Sequence, residues 1–171
     1  MVSANRFEKN CVRAIIALDE LYSKKKISKS RKVKITGLEK PNFRYKIKNT
    51  SQFDFLGYIE ESELEKLYTN CGCLIYPSLN EGFGYPPLEA MKYGVPVLAS
   101  NAASIPEVCG EAALYFKPTS IKEIKSSILD VLNGNFHSNL TDLEKNRFKK
   151  IEAKQNDDLY NLIDWILAHC E

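Results

Sequence analysis

Two kinds of hydrophobic pattern alternate along this chain. Short, continuous apolar runs bounded by turn residues are typical of buried strands. Between them, apolar residues recur every three or four positions, as in helices that bury one face. The runs predict six strands, at residues 1–4, 33–37, 53–57, 73–76, 95–100 and 113–116. The first predicted helix has one apolar face, which comprises Cys11, Ala14, Ile15, Leu18 and Tyr22.

The alternation of strands and helices predicts an α/β fold. Since helices that join parallel strands cover both faces of the sheet, we expect a Rossmann-like three-layer α/β/α domain with a six-stranded parallel sheet. If the strand order is 3-2-1-4-5-6, the first and fourth strands flank the switch point at which ligands bind. The 171 residues suffice for one domain. We expect its core in about residues 1–134 and C-terminal helices in residues 135–171.

The stretch at residues 81–91 lies between the fourth and fifth predicted strands and reads as a loop followed by the start of a helix. Gly82 and Gly84 permit positive φ angles and close approach of a ligand to the backbone. Pro86 and Pro87 suit the first turn of a helix. The free N–H groups of that turn attract an anion, above all phosphate.

Two carboxylates, those of Glu81 and Glu89, belong to the same stretch. They repel a phosphate, but they accept hydrogen bonds from vicinal hydroxyls such as those of a ribose or a hexose. An anion site beside two such acids fits a nucleotide-sugar. The alternative interpretation is an ordinary loop and helix start with two solvated acids.

The sequence EGFGYPPLEAM, in which seven residues separate Glu81 from Glu89, resembles the signature of the retaining glycosyltransferases of family 4, which have the GT-B fold. Residues 94–97, 104–108 and 110–113 match the same family in order and spacing. The resemblance covers about residues 2–134, and such a long motif is far more specific than an isolated glycine pattern. It implies that the chain is the C-terminal, donor-binding half of a GT-B protein.

The resemblance implies catalytic roles for three residues. Arg6 and Lys9 match the family's basic pair, which grips the donor diphosphate and stabilises the charge that develops on it; Ser3 stands where the family has glycine. Glu81 would accept hydroxyls of the transferred sugar, and Glu89 those of the ribose. Because Arg6 and Lys9 would neutralise the diphosphate, the resemblance implies that neither a metal nor a cofactor is needed.

Further donor contacts are expected in the motif and after the third predicted strand. The backbone around Gly82, Phe83 and Gly84 would donate N–H groups to the diphosphate, and Leu88 belongs to the same donor-binding stretch. In the family, the turn that contains Tyr58 lies beside the nucleobase. The Tyr58 ring would stack on the base; a tyrosine packed within its loop is the equal alternative.

Charge and cysteine content bear on partners and location. The net charge is +2, but residues 1–50 hold fourteen Lys and Arg against four Asp and Glu. This basic segment could bind a polyphosphate or an anionic membrane surface; the simpler interpretation is that its charges are solvated.

The chain has five cysteines and no secretion signal, which favours a location in the reducing cytoplasm. Peripheral contact with the inner face of the membrane is left open. Nucleic acid is not an expected partner.

Two more helices are predicted at the C-terminal end, one from residue 141 and one near residues 157–168. Tyr160 and Trp165 lie beside the apolar stripe of the second. Since the last helix of GT-B proteins commonly reaches the other domain, these aromatic side chains indicate either such an interface or a buried core.

We therefore expect the donor-binding half of a retaining glycosyltransferase. It would transfer a hexose such as mannose from a UDP- or GDP-sugar to a glycan or lipid-linked acceptor, in surface polysaccharide synthesis. The resemblance implies that the acceptor binds to an N-terminal domain, and we expect that domain to be missing from these 171 residues. We expect weak donor binding and little or no transfer by this chain alone.

The alternatives belong to other classes. One is a nucleotide-sugar-binding module without catalysis, and another is a GT-B relative such as an epimerase or a phosphorylase. A nicotinamide dehydrogenase would need a G-x-G-x-x-G pattern before the first helix, and residues 3–10 lack it. The donor base and sugar stay open, although residues 5–8 resemble mannosyltransferases that use GDP-mannose.

Overall fold

The computed structural model describes residues 1–2, 6–40, 43–135 and 140–169. Its five strands are β1 Val33–Thr36, β2 Phe53–Gly57, β3 Leu74–Tyr76, β4 Val97–Ser100 and β5 Leu114–Phe116. Its α-helices are α1 Cys11–Ser23, α2 Glu61–Asn70, α3 Tyr85–Lys92, α4 Ile105–Cys109, α5 Ile121–Leu132 and α6 Leu140–His169. Short 3₁₀ helices lie at Phe7–Lys9 and Thr50–Gln52.

All of the strand pairs are parallel, which confirms the predicted α/β class. β1 pairs with β2, and β4 lies between β3 and β5. These neighbours agree with the predicted strand order. The predicted strand count is wrong for the described residues, which form a two-stranded and a three-stranded sheet instead of one sheet of six strands.

The predicted first strand, at residues 1–4, lies only partly within the described residues. The Met1 ammonium donates to Lys34 O at 3.0 Å, and the Thr36 N–H donates to Met1 O at 3.1 Å. These two bonds flank Ile35 in the pattern of a parallel pair. Met1 therefore lies beside β1, where the predicted order puts the first strand; Ser3 and Ala4 are outside the described residues.

A cavity of about 340 Å³ lies between the two sheets. Val33 and Lys34 line it from β1, and Cys73 and Leu74 line it from the side of β3. Among the described residues no strand bridges these two edges, so the sheets remain separate. None of residues 81–91 lines this cavity, so it is distinct from the predicted ligand site.

Alternating strand residues divide the core into two layers. Ile75 and Leu98 pack in a cluster with α1 and α5, whereas Tyr76 and Val97 pack in a second cluster with α3 and α4. Successive residues of a strand point to opposite faces of a sheet, so helices cover both faces, as predicted. The predicted apolar face of α1 is confirmed, since all five of its residues are buried: Cys11, Ala14, Ile15, Leu18 and Tyr22.

A single helix of 30 residues, α6, replaces the two predicted C-terminal helices. No glycine or proline interrupts this segment, so the helix continues through it. Its first half packs on the second cluster through Phe148 and Ile151, and residues 152–169 are exposed. Tyr160 and Trp165 are 66% and 60% exposed, so the buried-core interpretation is wrong. No described helix is both long enough and apolar enough to span a bilayer.

Glu144 connects α6 to the sheet. Its side chain is fully buried, and its Oε1 accepts the Val97 N–H at 3.0 Å, at the start of β4. Its Oε2 has no hydrogen-bond partner among the described residues. Burial, opposed in part by the Val97 hydrogen bond, raises the pKa of this carboxyl to about 8.

Candidate functional site

The conformation of the loop before α3 depends on one glycine. Gly84 has a φ of 104° and precedes the first residue of α3, with proline in the first turn as predicted. A side chain would strain this backbone, because L residues rarely adopt such a φ. Gly82 permits a positive φ as well, but it does not adopt one. A Cβ at Gly82 would meet no atom within 4 Å, so the position is open to solvent or to a ligand.

A serine from the next loop fixes the conformation of the motif. The Ser104 hydroxyl lies 2.9 Å from both the Glu81 and the Phe83 carbonyl oxygens. A hydroxyl has one proton, so it donates to one of these oxygens at a time or shares the proton between them. Because both acceptors belong to the loop, Ser104 holds the backbone that presents Glu81.

Asn10 brings the N-terminal basic segment to the same place. It has a φ of 53° and precedes α1. Its buried Nδ2 donates to Pro77 O at 2.9 Å and to Pro118 O at 2.8 Å, which lie just beyond β3 and β5. These bonds fix the start of α1 against the carboxyl ends of two strands. Lys9, the preceding residue, is thereby directed toward the motif.

Lys9 and Glu81 form a buried ion pair. Lys9 Nζ lies 2.7 Å from Glu81 Oε1, and the two side chains are only 8% and 11% exposed. Lys9 Nζ also donates to the Tyr76 hydroxyl at 3.1 Å. Ser78 Oγ lies 2.6 Å from the same oxygen of Glu81. Segments 72 positions apart in sequence therefore meet at the carboxyl end of β3.

The charges of this cluster shift two pKa values in opposite directions. Burial alone would raise the pKa of Glu81, but hydrogen bonds from Lys9, Ser78 and Tyr76 outweigh it and lower that pKa. Burial raises the pKa of Tyr76, as do its hydrogen bond to Glu81 and the charge of that carboxylate. Glu81 is therefore a carboxylate at neutral pH, and Tyr76 is a neutral hydroxyl beside it.

Glu89 lies close to the same tyrosine. Its charge contributes to the raised pKa of Tyr76, whose hydroxyl contacts Lys9. The half-buried Glu89 lies on α3, and its Oε2 accepts the Tyr68 hydroxyl at 2.9 Å. The charges of Glu81 and Glu89 therefore both act on the buried Tyr76 hydroxyl, which Lys9 contacts. The structure places these residues together, and their roles stay predictions.

Arg6 and Tyr58 occupy more open positions. Arg6 is exposed, and its charge reaches the Tyr76 hydroxyl, where it slightly opposes the rise in pKa. Tyr58 is 83% exposed and follows Gly57 at the carboxyl end of β2. The alternative of a tyrosine packed in its loop is therefore wrong, and the ring is free to stack on a planar ligand.

Phe83 and Leu88 direct their side chains into the protein. Leu88 is 4% exposed and lies in the second core cluster, and Phe83 packs partly buried against that cluster. Any contact of Leu88 with a donor would therefore have to come from its backbone. The predicted donor contacts at Gly82, Phe83 and Gly84 are likewise a matter of backbone N–H groups.

The described residues contain no group of three or more His, Cys, Asp or Glu arranged to hold a metal ion. Cys71 is exposed and Cys73 half-buried, and burial raises the pKa of both thiols. That shift disfavours the thiolate form that metal ions bind. The expectation that no metal is needed stays a prediction.

Comparison with known proteins decides the family. The model of the family "Glycosyl transferases group 1" matches residues 1–161 of the 171. The chain belongs to this family. The motif at residues 81–91 and the ion pair of Lys9 with Glu81 are therefore features of a group 1 glycosyltransferase domain.

Two of the relatives that the chain resembles are mannosyltransferases by name. O-antigen chain mannosyltransferase B of Escherichia coli is 46% identical over 81 residues, which are 47% of this chain and 21% of the relative. O-antigen chain mannosyltransferase RfbU of Salmonella typhimurium is 40% identical over 77 residues, which are 45% of this chain and 22% of the relative. The matched part of this group 1 glycosyltransferase chain thus spans about a fifth of each relative's length.

A solved structure supports the fold. Sucrose-phosphate synthase from Thermosynechococcus elongatus superposes with a TM-score of 0.68 over 92% of this chain and 43% of that one, at 18% identity. At that identity the likeness shows the shared GT-B-type α/β fold and nothing about the substrate.

The sequence alone did not reveal several members of the site. Tyr76 and Ser78 flank Pro77 directly before the motif, so their position was a usable signal. Tyr68 contacts Glu89 from α2, and no local pattern marks its partner. Their contribution depends on tertiary contacts.

Proposed function

We propose that this chain is the donor-binding domain of a hexosyltransferase that uses a nucleoside-diphosphate sugar, with mannose as the first sugar to test. The main observation behind the proposal is the 2.7 Å contact between Lys9 Nζ and Glu81 Oε1. It brings together a cation that can bind a diphosphate and a carboxylate that can accept hydrogen bonds from sugar hydroxyls. Membership of the glycosyl transferases group 1 family supports it. The names of the relatives support mannose and surface polysaccharide synthesis.

The proposed chemistry is the breaking of the glycosyl bond to the donor diphosphate. Negative charge then develops on the leaving diphosphate. Lys9, Arg6 and the backbone N–H groups around Gly84 would stabilise that charge, since donors arranged in advance stabilise a transition state without reorganisation. Glu81 would accept hydroxyls of the sugar, and no metal is proposed.

The acceptor and the complete enzyme are a further part of the proposal. We propose that a second domain binds the acceptor, and that this chain by itself binds the donor weakly and transfers little sugar. We also propose a cytoplasmic location for the site. Efficient transfer to an acceptor by the 171-residue chain alone would contradict the two-domain part and leave the donor site intact.

Calorimetric titration with UDP, GDP, ADP and their sugars tests the donor site. The informative variant is Lys9→Met, and the matched control is Lys125→Met, which removes a lysine paired with Glu20 at 2.6 Å between α5 and α1. Loss of a charge-assisted hydrogen bond predicts a loss of affinity of about 10- to 100-fold for Lys9→Met only. Thermal unfolding checks that both variants are folded.

Two results would overturn the proposal. One is that the wild-type chain binds none of these nucleotides. The other is that folded Lys9→Met and Lys125→Met bind with the same affinity as the wild type, since the basic residue of the ion pair would then have no part in binding.

A further inference from the structure

A buried tyrosine of α2 holds Glu89. The Tyr68 hydroxyl donates to Glu89 Oε2 at 2.9 Å. Tyr68 is only 3% exposed, and its ring stacks on that of Tyr93 with centroids 6.1 Å apart. The core thus fixes the ring, and the ring fixes the position of the hydroxyl.

The bond leaves one carboxylate oxygen available. Among the described residues, no donor to Glu89 Oε1 accompanies the Tyr68 bond to Oε2. A carboxylate has two oxygens that each accept more than one hydrogen bond. A half-buried Glu89 with one oxygen fixed and one open is therefore an acceptor whose orientation is set before a ligand arrives.

The Tyr68 hydroxyl stays protonated, so it can donate a hydrogen bond. Burial raises its pKa, and the charge of Glu89 and the hydrogen bond to it raise that pKa further. The hydroxyl therefore keeps its proton, and with it its capacity to donate, throughout the neutral range.

We propose that Tyr68 is a positioning residue for the donor: it holds one oxygen of Glu89 so that the other accepts the vicinal hydroxyls of the ribose. This inference rests on the proposed function, which assigns Glu89 to the ribose. The competing explanation is a bond that only joins α2 to α3. The two explanations differ in which ligands lose affinity when the hydroxyl is removed.

Tyr68→Phe removes the hydroxyl and keeps the ring. Tyr93→Phe is the matched control, because its ring belongs to the same stack but its hydroxyl donates to Glu65 at 2.8 Å and not to Glu89. The probes are UDP and GDP, their 2′,3′-dideoxy counterparts and inorganic pyrophosphate, each titrated by calorimetry against the full chain. Thermal unfolding of each variant is recorded in parallel.

We expect Tyr68→Phe to weaken binding of the ribonucleotide by about 3- to 10-fold, the effect of one misplaced charge-assisted hydrogen bond. Binding of the dideoxy nucleotide and of pyrophosphate should not change, and Tyr93→Phe should change none of them. In a double variant with Glu89→Gln, Tyr68→Phe should add no further loss, because both changes act on one contact.

The contrary outcomes are distinct. Equal loss for all probes in Tyr68→Phe would show a structural bond and overturn the inference. Suppose that Tyr68→Phe binds every probe as the wild type does, while Glu89→Gln no longer binds the ribonucleotide more tightly than its dideoxy counterpart. That result would overturn the inference and leave the proposed function standing. Failure of the wild-type chain to bind any probe would overturn both.

Discussion

The stability of this domain should fall as pH rises from 5 to 8, because of Glu144. The pKa of its buried carboxyl is raised to about 8, from an ordinary value of 4.5. Between these values the folded chain binds more protons at Glu144 than the unfolded chain does. Stability from this group is complete below the unfolded pKa and is lost as pH rises through the folded pKa.

The magnitude follows from the two pKa values. The difference is 8 − 4.5 = 3.5. At 1.36 kcal/mol per unit, titration from pH 5 to pH 8 should lower the free energy of unfolding by about 3 kcal/mol, since part of the unfolded-state titration occurs below pH 5. Urea unfolding at pH 5, 6, 7 and 8, followed by circular dichroism, measures it.

The control is Glu144→Gln, whose side-chain oxygen can still accept the Val97 N–H but does not titrate. The free energy of unfolding should fall more steeply with pH in the wild type than in the variant, and the difference between the two slopes is the contribution of Glu144. The Met1 ammonium contributes equally to both proteins. Because burial lowers its pKa, its contribution to stability rises with pH. The pKa values of Asp19 and Glu81 are lowered, so these groups act below this window. Parallel pH profiles for the two proteins would refute the reasoning.

Three further changes test the site by denaturant unfolding. Gly84→Ala should cost about 1–2 kcal/mol because its φ is 104°, whereas Gly82→Ala, at an open position, should stay within about 0.5 kcal/mol; equal effects would contradict the backbone argument. Asn10→Ala should cost about 2–4 kcal/mol, because two buried proline carbonyls lose their donor. Lys9→Met should cost about 3 kcal/mol by leaving a buried carboxylate unpaired. Adding Glu81→Gln should recover most of that loss, and simple additivity of the two changes would exclude the pair.

Local periodicity was enough to predict most of the architecture. The short apolar runs at residues 33–37, 53–57, 73–76, 95–100 and 113–116 each contain an observed strand, because burial in a parallel sheet requires such runs. The meeting of Lys9 with Glu81 could be predicted as well. Carboxyl ends of neighbouring parallel strands lie at one edge of a sheet, and the sequence predicts Lys9 after the first strand and Glu81 after the fourth.

The sequence could not predict hydrogen bonds made by polar side chains that have several possible partners. The spacing of Ser104 and Glu107 predicts a capping box for α4. Instead, Ser104 makes no side-chain cap and bonds to the carbonyls of Glu81 and Phe83. Glu144 reads in sequence as one more charge on a polar helix, and only the packing of α6 buries it. Tyr68 meets Glu89 because two helices cross, which no local pattern records.

The surroundings of Glu81 explain how an ion pair can also serve as a binding site. In the structure Lys9 neutralises Glu81, so neither buried charge is left unpaired. If Lys9 pairs with a diphosphate, as proposed, Glu81 loses its cation but not its other donors. Tyr76 and Ser78 still donate to the carboxylate and oppose the rise in pKa that burial alone would cause. These two neutral hydroxyls favour the ionised form of Glu81, which is the form that accepts sugar hydroxyls, while Lys9 changes partner.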